Sequence, residues 1–242
     1  MCRLSYLFLA NFLVLALSGS YPVKLKAQDI SETGYNILDS ALRVYRTDDR
    51  LVNGKNYKAK HIRAKGHPYF LTSKWTKSTL YIKGITFYDV PLKYDIVDDI
   101  LIINNVSFDH ISKNVILHSF YIDSLRIGSH FFHNTTNLNS RKGIGIAELI
   151  YQGNISAYYK HFNEFKEEYT PSLPFGKYFD PEKKLYLANQ DNYTLIRSKK
   201  ILIKYFEGHE KEVKHFLRRK KIRLKKASAN QITSILKFYE QF

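Results

Sequence analysis

From residue 51 to about residue 160, short runs of Ile, Val, Tyr and Phe alternate with Gly, Asn, Asp and Pro. Runs of this length, punctuated by turn formers, predict an antiparallel β architecture. Leu80 and Ile82 alternate with Thr79 and Tyr81, and Lys83-Gly84 predicts a turn. Ile85, Phe87 and Tyr88 predict the return strand, which Asp89-Val90-Pro91 is expected to break. Leu92, Tyr94 and Ile96 recur with period 2, Asp98-Asp99 predicts another turn, and residues 100–103 read as a fully apolar strand. Further strands are expected at 115–117, 120–122, 125–127, 130–132, 144–151 and 155–159, with Gln152-Gly153-Asn154 as a hairpin loop. Residues 175–186 carry Pro and Gly and are expected as a connection. Leu185 to Leu187 and Tyr193 to Ile196 then form a hairpin around 189–192.

After Ser198 the period becomes helical. Ile201, Leu202, Tyr205 and Phe206 make one stripe that Ser198 can cap, and Gly208 interrupts it. Val213, Phe216 and Leu217 make a second stripe. Ser228-Ala229-Asn230-Gln231 has the form of a capping box, and Ile232, Ile235, Leu236, Tyr239 and Phe242 mark one face of a last helix. The expected fold class is therefore α+β. A mostly antiparallel β body over 51–197 (sheet, sandwich or partial barrel) is followed by basic helices over 198–242 packed on it.

Ahead of the body stand a polar lead segment, 28–50, and an apolar N-terminus. Arg3 precedes fourteen mostly apolar residues, 4–17, and the small residues Ser18, Gly19 and Ser20 follow. That pattern predicts a cleavable signal peptide within 1–27, cut after Ser20 or after Ala27. The run falls short of the roughly 20 apolar residues of a transmembrane helix, and no later run approaches that length. The chain has 242 residues, 44% hydrophobic and 25% charged, an ordinary globular balance. Its one Met and one Cys are Met1 and Cys2. The exported chain would then hold no sulfur, which excludes disulfides, thiol nucleophiles and thiolate metal sites.

The formal net charge of +16 is concentrated. Residues 197–226 carry thirteen Lys and Arg against Glu207, Glu210 and Glu212, a net of +10, whereas 28–196 carry 21 basic and 18 acidic residues. Arg218, Arg219, Lys220, Lys221, Arg223, Lys225 and Lys226 form the dense part and are the candidate binding residues, for an anionic membrane or glycolipid surface or an envelope protein complex. Export argues against nucleic acid. The plainer reading is a solvated helix face whose long side chains cover apolar neighbours.

No catalytic residue, metal ligand set or cofactor is assigned. His130 and His133, three apart on a strand, are expected on opposite faces, and no third ligand follows from spacing with His110 or His118. Asp95, Asp98 and Asp99 crowd one turn and offer paired carboxylates for acid–base work, but Asp also favours tight turns for its own sake. Gly143-Ile144-Gly145 lacks the rest of a phosphate loop and reads as a kink or bulge. Most of the 19 Tyr and 16 Phe suit a sheet core, and exposed rings such as Tyr158 and Tyr159 are candidates for stacking on sugars or a partner.

Several segments carry a family likeness together: Asn53-Gly54-Lys55-Asn56-Tyr57, Gly66-His67-Pro68-Tyr69-Phe70, Trp75, the hairpin from Tyr81 to Tyr88, Asp89-Val90-Pro91-Leu92-Lys93-Tyr94-Asp95, Ser198-Lys199-Lys200 and Glu212-Val213-Lys214-His215-Phe216. The set resembles an uncharacterised family of exported β-rich proteins of Gram-negative bacteria. The resemblance implies a periplasmic or outer-membrane-associated place and transfers no functional residue. The expected function is a non-enzymatic binding module docking through the basic helices. The alternatives are a carboxylate-dependent hydrolase of envelope glycans or peptides, and a carrier of an apolar ligand in a β-barrel.

Overall fold

The computed structural model describes residues 54–106, 112–136, 143–190 and 192–242. The expected signal peptide, the 28–50 lead segment and His110 lie outside them. Strands β1 (Lys55–Asn56), β2 (Thr76–Ile82), β3 (Ile85–Asp95), β4 (Ile100–Val106), β5 (Ser112–Ile116), β6 (Ile122–Ile127), β7 (His130–Asn134), β8 (Ile146–Tyr151) and β9 (Ser156–Phe162) come first. The short β10 (Phe165–Lys166) and β11 (Lys177–Tyr178) follow, then β12 (Glu182–Asn189) and β13 (Asn192–Leu195). Helices α1 (Lys199–Tyr205), α2 (Glu210–Arg219) and α3 (Ala229–Tyr239) complete the chain.

Among the described residues, eleven strands form one open antiparallel sheet in the order β1-β5-β4-β3-β2-β6-β7-β8-β9-β12-β13, and β10 pairs with β11 outside it. Alternation places Leu80 and Ile82 of β2, Leu92 and Tyr94 of β3, Leu125 and Ile127 of β6 and Phe132 of β7 in one core with Phe70. Farther along the sheet, Ala157 and Tyr159 of β9 and Leu185 and Leu187 of β12 face a second core shared with the helices. The helices contribute Leu202, Val213, Phe216, Leu217, Ile232, Ile235 and Leu236. Each large apolar side chain taken fully out of water stabilises the fold by roughly 1.5–3 kcal/mol.

Local sequence sets the joints. Lys83 and Gly84 both take left-handed φ, 48° and 76°, giving the two-residue hairpin between β2 and β3. The Ser198 side chain accepts the Ile201 N–H at the start of α1, and Ser228 with Gln231 makes the expected capping box of α3. Helix α3 is tied to the sheet at its far end: Glu240 accepts the Asn154 N–H at 2.8 Å and the Tyr151 hydroxyl proton.

Four details differ from the sequence-based expectation. Asp89-Val90-Pro91 does not break the strand, and β3 runs through it for 11 residues. Asp89 takes a left-handed φ of 53° and the β2–β3 register shifts opposite Ser78 and Leu80, so a bulge absorbs the misfit. Bulges are a place where a sheet accepts Pro, and β4 joins β3 only from Leu92 onward. The two strands expected at 120–122 and 125–127 are one strand, β6, behind a 3-10 turn at Ser119–Tyr121. The expected 175–186 connection is mostly ordered pairing. β12 starts at Glu182 because its backbone pairs with β9 from Phe162 to Ser156, a bond pattern indifferent to the polar side chains of Glu182, Lys183 and Lys184. Finally, Tyr158 and Tyr159 are buried, one on each face of β9, and neither ring is free to stack on a ligand.

Candidate functional site

The basic segment is held to the body by its apolar residues. In α2, Val213, Phe216 and Leu217 are buried, and beyond it Ile222 and Ala227 are too. The residues between them point the other way. Arg218 and Arg219 end α2, Lys220 and Lys221 cap it, Arg223 follows, and Lys225 and Lys226 lie in a 3-10 turn, Leu224–Lys226. All seven are exposed. Among the described residues none of the seven makes an ion pair with an acidic side chain.

The cap itself has a defined geometry. The Ile222 N–H bonds to the Leu217 carbonyl and the Lys221 N–H to the Arg218 carbonyl, the paired closure of a Schellman motif. Its hydrophobic contact is supplied by Leu217 and Ile222, both buried. The left-handed position is occupied by Lys221, with φ of 52°, where glycine is the usual residue. A lysine there costs on the order of 1 kcal/mol relative to glycine.

Beside this stretch an open groove of about 320 Å³ runs between α2 and α3. Lys211, His215 and Arg219, spaced by four on α2, line it together with Glu212, Phe216 and Phe238. Phe216 and Phe238 stack with ring centroids 4.3 Å apart and 15° between planes. The Arg219 guanidinium lies 5.9 Å from the Phe216 centroid. Phe242, expected on the packed face of α3, is 60% exposed because the helix ends at Tyr239. It packs edge-on to Phe238 at 5.3 Å. Sequence reasoning missed Lys211, His215 and Phe238 as neighbours. The 211, 215, 219 spacing was the available signal, but which helix would face α2 was not in it.

The three carboxylates of the β3–β4 turn do not converge. Asp95 is buried and accepts the backbone N–H groups of Val97 and Asp98 at 2.9 and 3.2 Å, the chemistry of a turn. Burial nevertheless pushes its pKa above the ordinary value. Asp98 pairs with Lys60 at 2.7 Å and Asp99 with Lys160 at 2.6 Å. The Tyr94 hydroxyl, 2.7 Å from Asp99 and 2.9 Å from the Ile146 carbonyl, closes that second node. Burial lowers the Lys160 pKa against the pull of Asp99. Gly145 leaves the room for it. A Cβ there would lie 2.1 Å from an Asp99 oxygen, and its φ of +80° delays the start of β8 to Ile146.

His130 and His133 do face opposite sides of β7. His130 Nδ1 and His161 Nε2 both donate to Glu148, at 2.6 and 2.7 Å. His133 packs near Tyr158 on the other side, where burial lowers its pKa. Among the described residues, no group of three His, Cys, Asp or Glu gathers in a way that could hold a metal ion. No described helix is long and apolar enough to cross a membrane.

Fold and surface together define an α+β protein: an open antiparallel sheet carrying a basic, three-helix cap. Compared with known proteins, the chain matches no family model, no curated protein and no solved structure.

Proposed function

We propose that this chain is an exported, non-enzymatic binding module of the cell envelope that docks to an anionic surface through its C-terminal helices. The observation that carries this reading is the arrangement of the basic segment. Seven cationic side chains between Arg218 and Lys226 are exposed, while the apolar residues among them are buried against the body. Charge held on an anchored scaffold, without acidic partners among the described residues, is available to an external anion. The apolar run at 4–17 supports export, and the resemblance to exported β-rich proteins supports a place in the envelope.

The hydrolase alternative is weakened by the separate partners of Asp95, Asp98 and Asp99. The carrier alternative needs a closed barrel, and this sheet is open.

The test replaces Arg218, Arg219, Lys220, Lys221, Arg223, Lys225 and Lys226 by Gln in the full chain and measures co-sedimentation with envelope membranes. Association that falls at least tenfold, and that weakens with added salt for the unaltered protein, is expected. Equal association of the two proteins overturns the reading.

A further inference from the structure

We infer that the groove between α2 and α3 is a seat for the acidic headgroup of a membrane phospholipid, so that the docking surface is an anionic bilayer. The inference rests on the docking reading above and names its ligand. Four features carry it. Lys211, His215 and Arg219 fall on one row of α2 and all line the groove, so that three basic side chains suited to phosphate oxygens stand along it. The groove's apolar wall is the half-buried Phe238, held in place by its stack on the buried Phe216, and its open edge can meet the glycerol and first acyl carbons of the same lipid. Phe242 extends this apolar strip outward and is 60% exposed beside Phe238. The other six exposed cations between Arg218 and Lys226 add to the positive surface beside the groove.

Cations beside an exposed phenylalanine, here Phe242, are the pattern of an interfacial contact. The charges are drawn to anionic headgroups, and a phenylalanine ring buries itself at the boundary between headgroups and acyl chains. An acidic protein partner would use the charges and has less need of the rings. Glu212 also lines the groove and opposes an anion there. It therefore supplies a control of opposite sign.

The experiment is flotation of the full chain with protein-free vesicles. One set is of phosphatidylcholine alone, and the other contains phosphatidylglycerol. The phosphatidylcholine vesicles measure whatever binding the apolar N-terminal residues contribute. Preferential binding to the phosphatidylglycerol vesicles is expected. Lys211→Gln with Arg219→Gln should weaken it by roughly fivefold per charge removed, and Glu212→Gln should strengthen it. Phe242→Gln, at an exposed position, should weaken the binding that survives high salt. Phe238→Gln should do the same in protein whose thermal unfolding remains cooperative.

Free glycerophosphate that competes fully at millimolar concentration would mean a soluble phosphate ligand and would overturn the bilayer assignment. So would equal binding to the two vesicle types, or indifference to Lys211, Arg219 and both phenylalanines. If envelope membranes bind the chain and lose it with the sevenfold variant while phosphatidylglycerol vesicles do not bind, the lipid seat fails and the docking reading stands, with a protein as the partner. If the sevenfold variant matches the unaltered chain on both, the docking reading itself fails.

Discussion

Glu148 accepts the Nε2 proton of His161 at 2.7 Å, tying β8 to β9 where the sheet passes from one core to the other. Its second oxygen accepts from His130 Nδ1 at 2.6 Å, and the Phe70 ring packs edge-on to both imidazoles, with centroids 5.2 and 4.7 Å away. Burial pushes the Glu148 pKa up, but the hydrogen bonds from His161 and His130 outweigh it and hold the carboxyl below its ordinary value of 4.5. A depressed folded-state pKa contributes stability above the unfolded value, and that contribution is lost as pH falls through the folded one. Burial, with the Glu148 charge, pushes Tyr159 up to about 12.

Glu148→Gln should therefore lower stability at neutral pH by about 2 kcal/mol, as charge-assisted bonds to two buried or half-buried rings become weaker neutral ones. Urea unfolding from pH 7 to pH 3 should show the gap between the two proteins closing below the ordinary Glu value. Asp95, whose raised pKa acts in the opposite sense, is present in both proteins and cancels. A gap that stays constant across that range would mean that Glu148 acts by shape alone.

Lys221 separates charge from folding. Glycine at its left-handed position should stabilise the chain by up to about 1 kcal/mol, the strain removed less the freedom glycine adds to the unfolded chain, since no described side-chain bond depends on Lys221. The same Lys221→Gly change removes one of the seven surface cations. Thermal unfolding should rise by a degree or more while binding to anionic membranes weakens. A protein that becomes more stable and binds as before would remove Lys221 from the docking surface.

Gly145 is needed twice, once for its φ of +80° and once for the space beside Asp99. Gly145→Ala must pay the left-handed backbone cost and push Asp99 from its contacts with Lys160 and Tyr94, leaving a mostly buried ammonium poorly paired. A loss of about 2–3 kcal/mol is expected in chemical unfolding. Asp99→Asn with Gly145→Ala should cost less than the sum of the two changes, because both disturb one node.

Much of the fold was legible along the chain. Period-2 runs such as Leu80 and Ile82, the Lys83-Gly84 turn, and the Ser198 and Ser228 caps are local features whose geometry depends on neighbours a few residues away. The misreadings share a cause. By sequence Pro91 ends a strand, but β4 joins β3 only from Leu92, so Pro91 sits at an edge position just past the bulge and withholds no bond. Glu182 to Lys184 are polar, yet they extend β12 because the β9 backbone lies alongside. By sequence Tyr158 and Tyr159 are candidates for exposed rings, and the packing of both sheet faces buries them. At the candidate site, the cluster from Arg218 to Lys226 was visible as composition. The groove was not, because Phe238 meets Phe216 only when α3 crosses α2.

By itself, the amino-acid order determined the α+β class, the helix caps and the concentration of charge in one segment, because these follow from short-range periodicity and from counting. Only the tertiary structure decided that the sheet stays open, that Asp95, Asp98 and Asp99 take three separate partners, that Glu148 joins two histidines, and that Lys211, His215 and Arg219 share a groove with stacked phenylalanines. Those relationships join residues far apart along the chain, 61 positions in the ion pair of Asp99 with Lys160. Distance along the chain carries no information about them until burial of the two apolar cores brings the strands and helices into register.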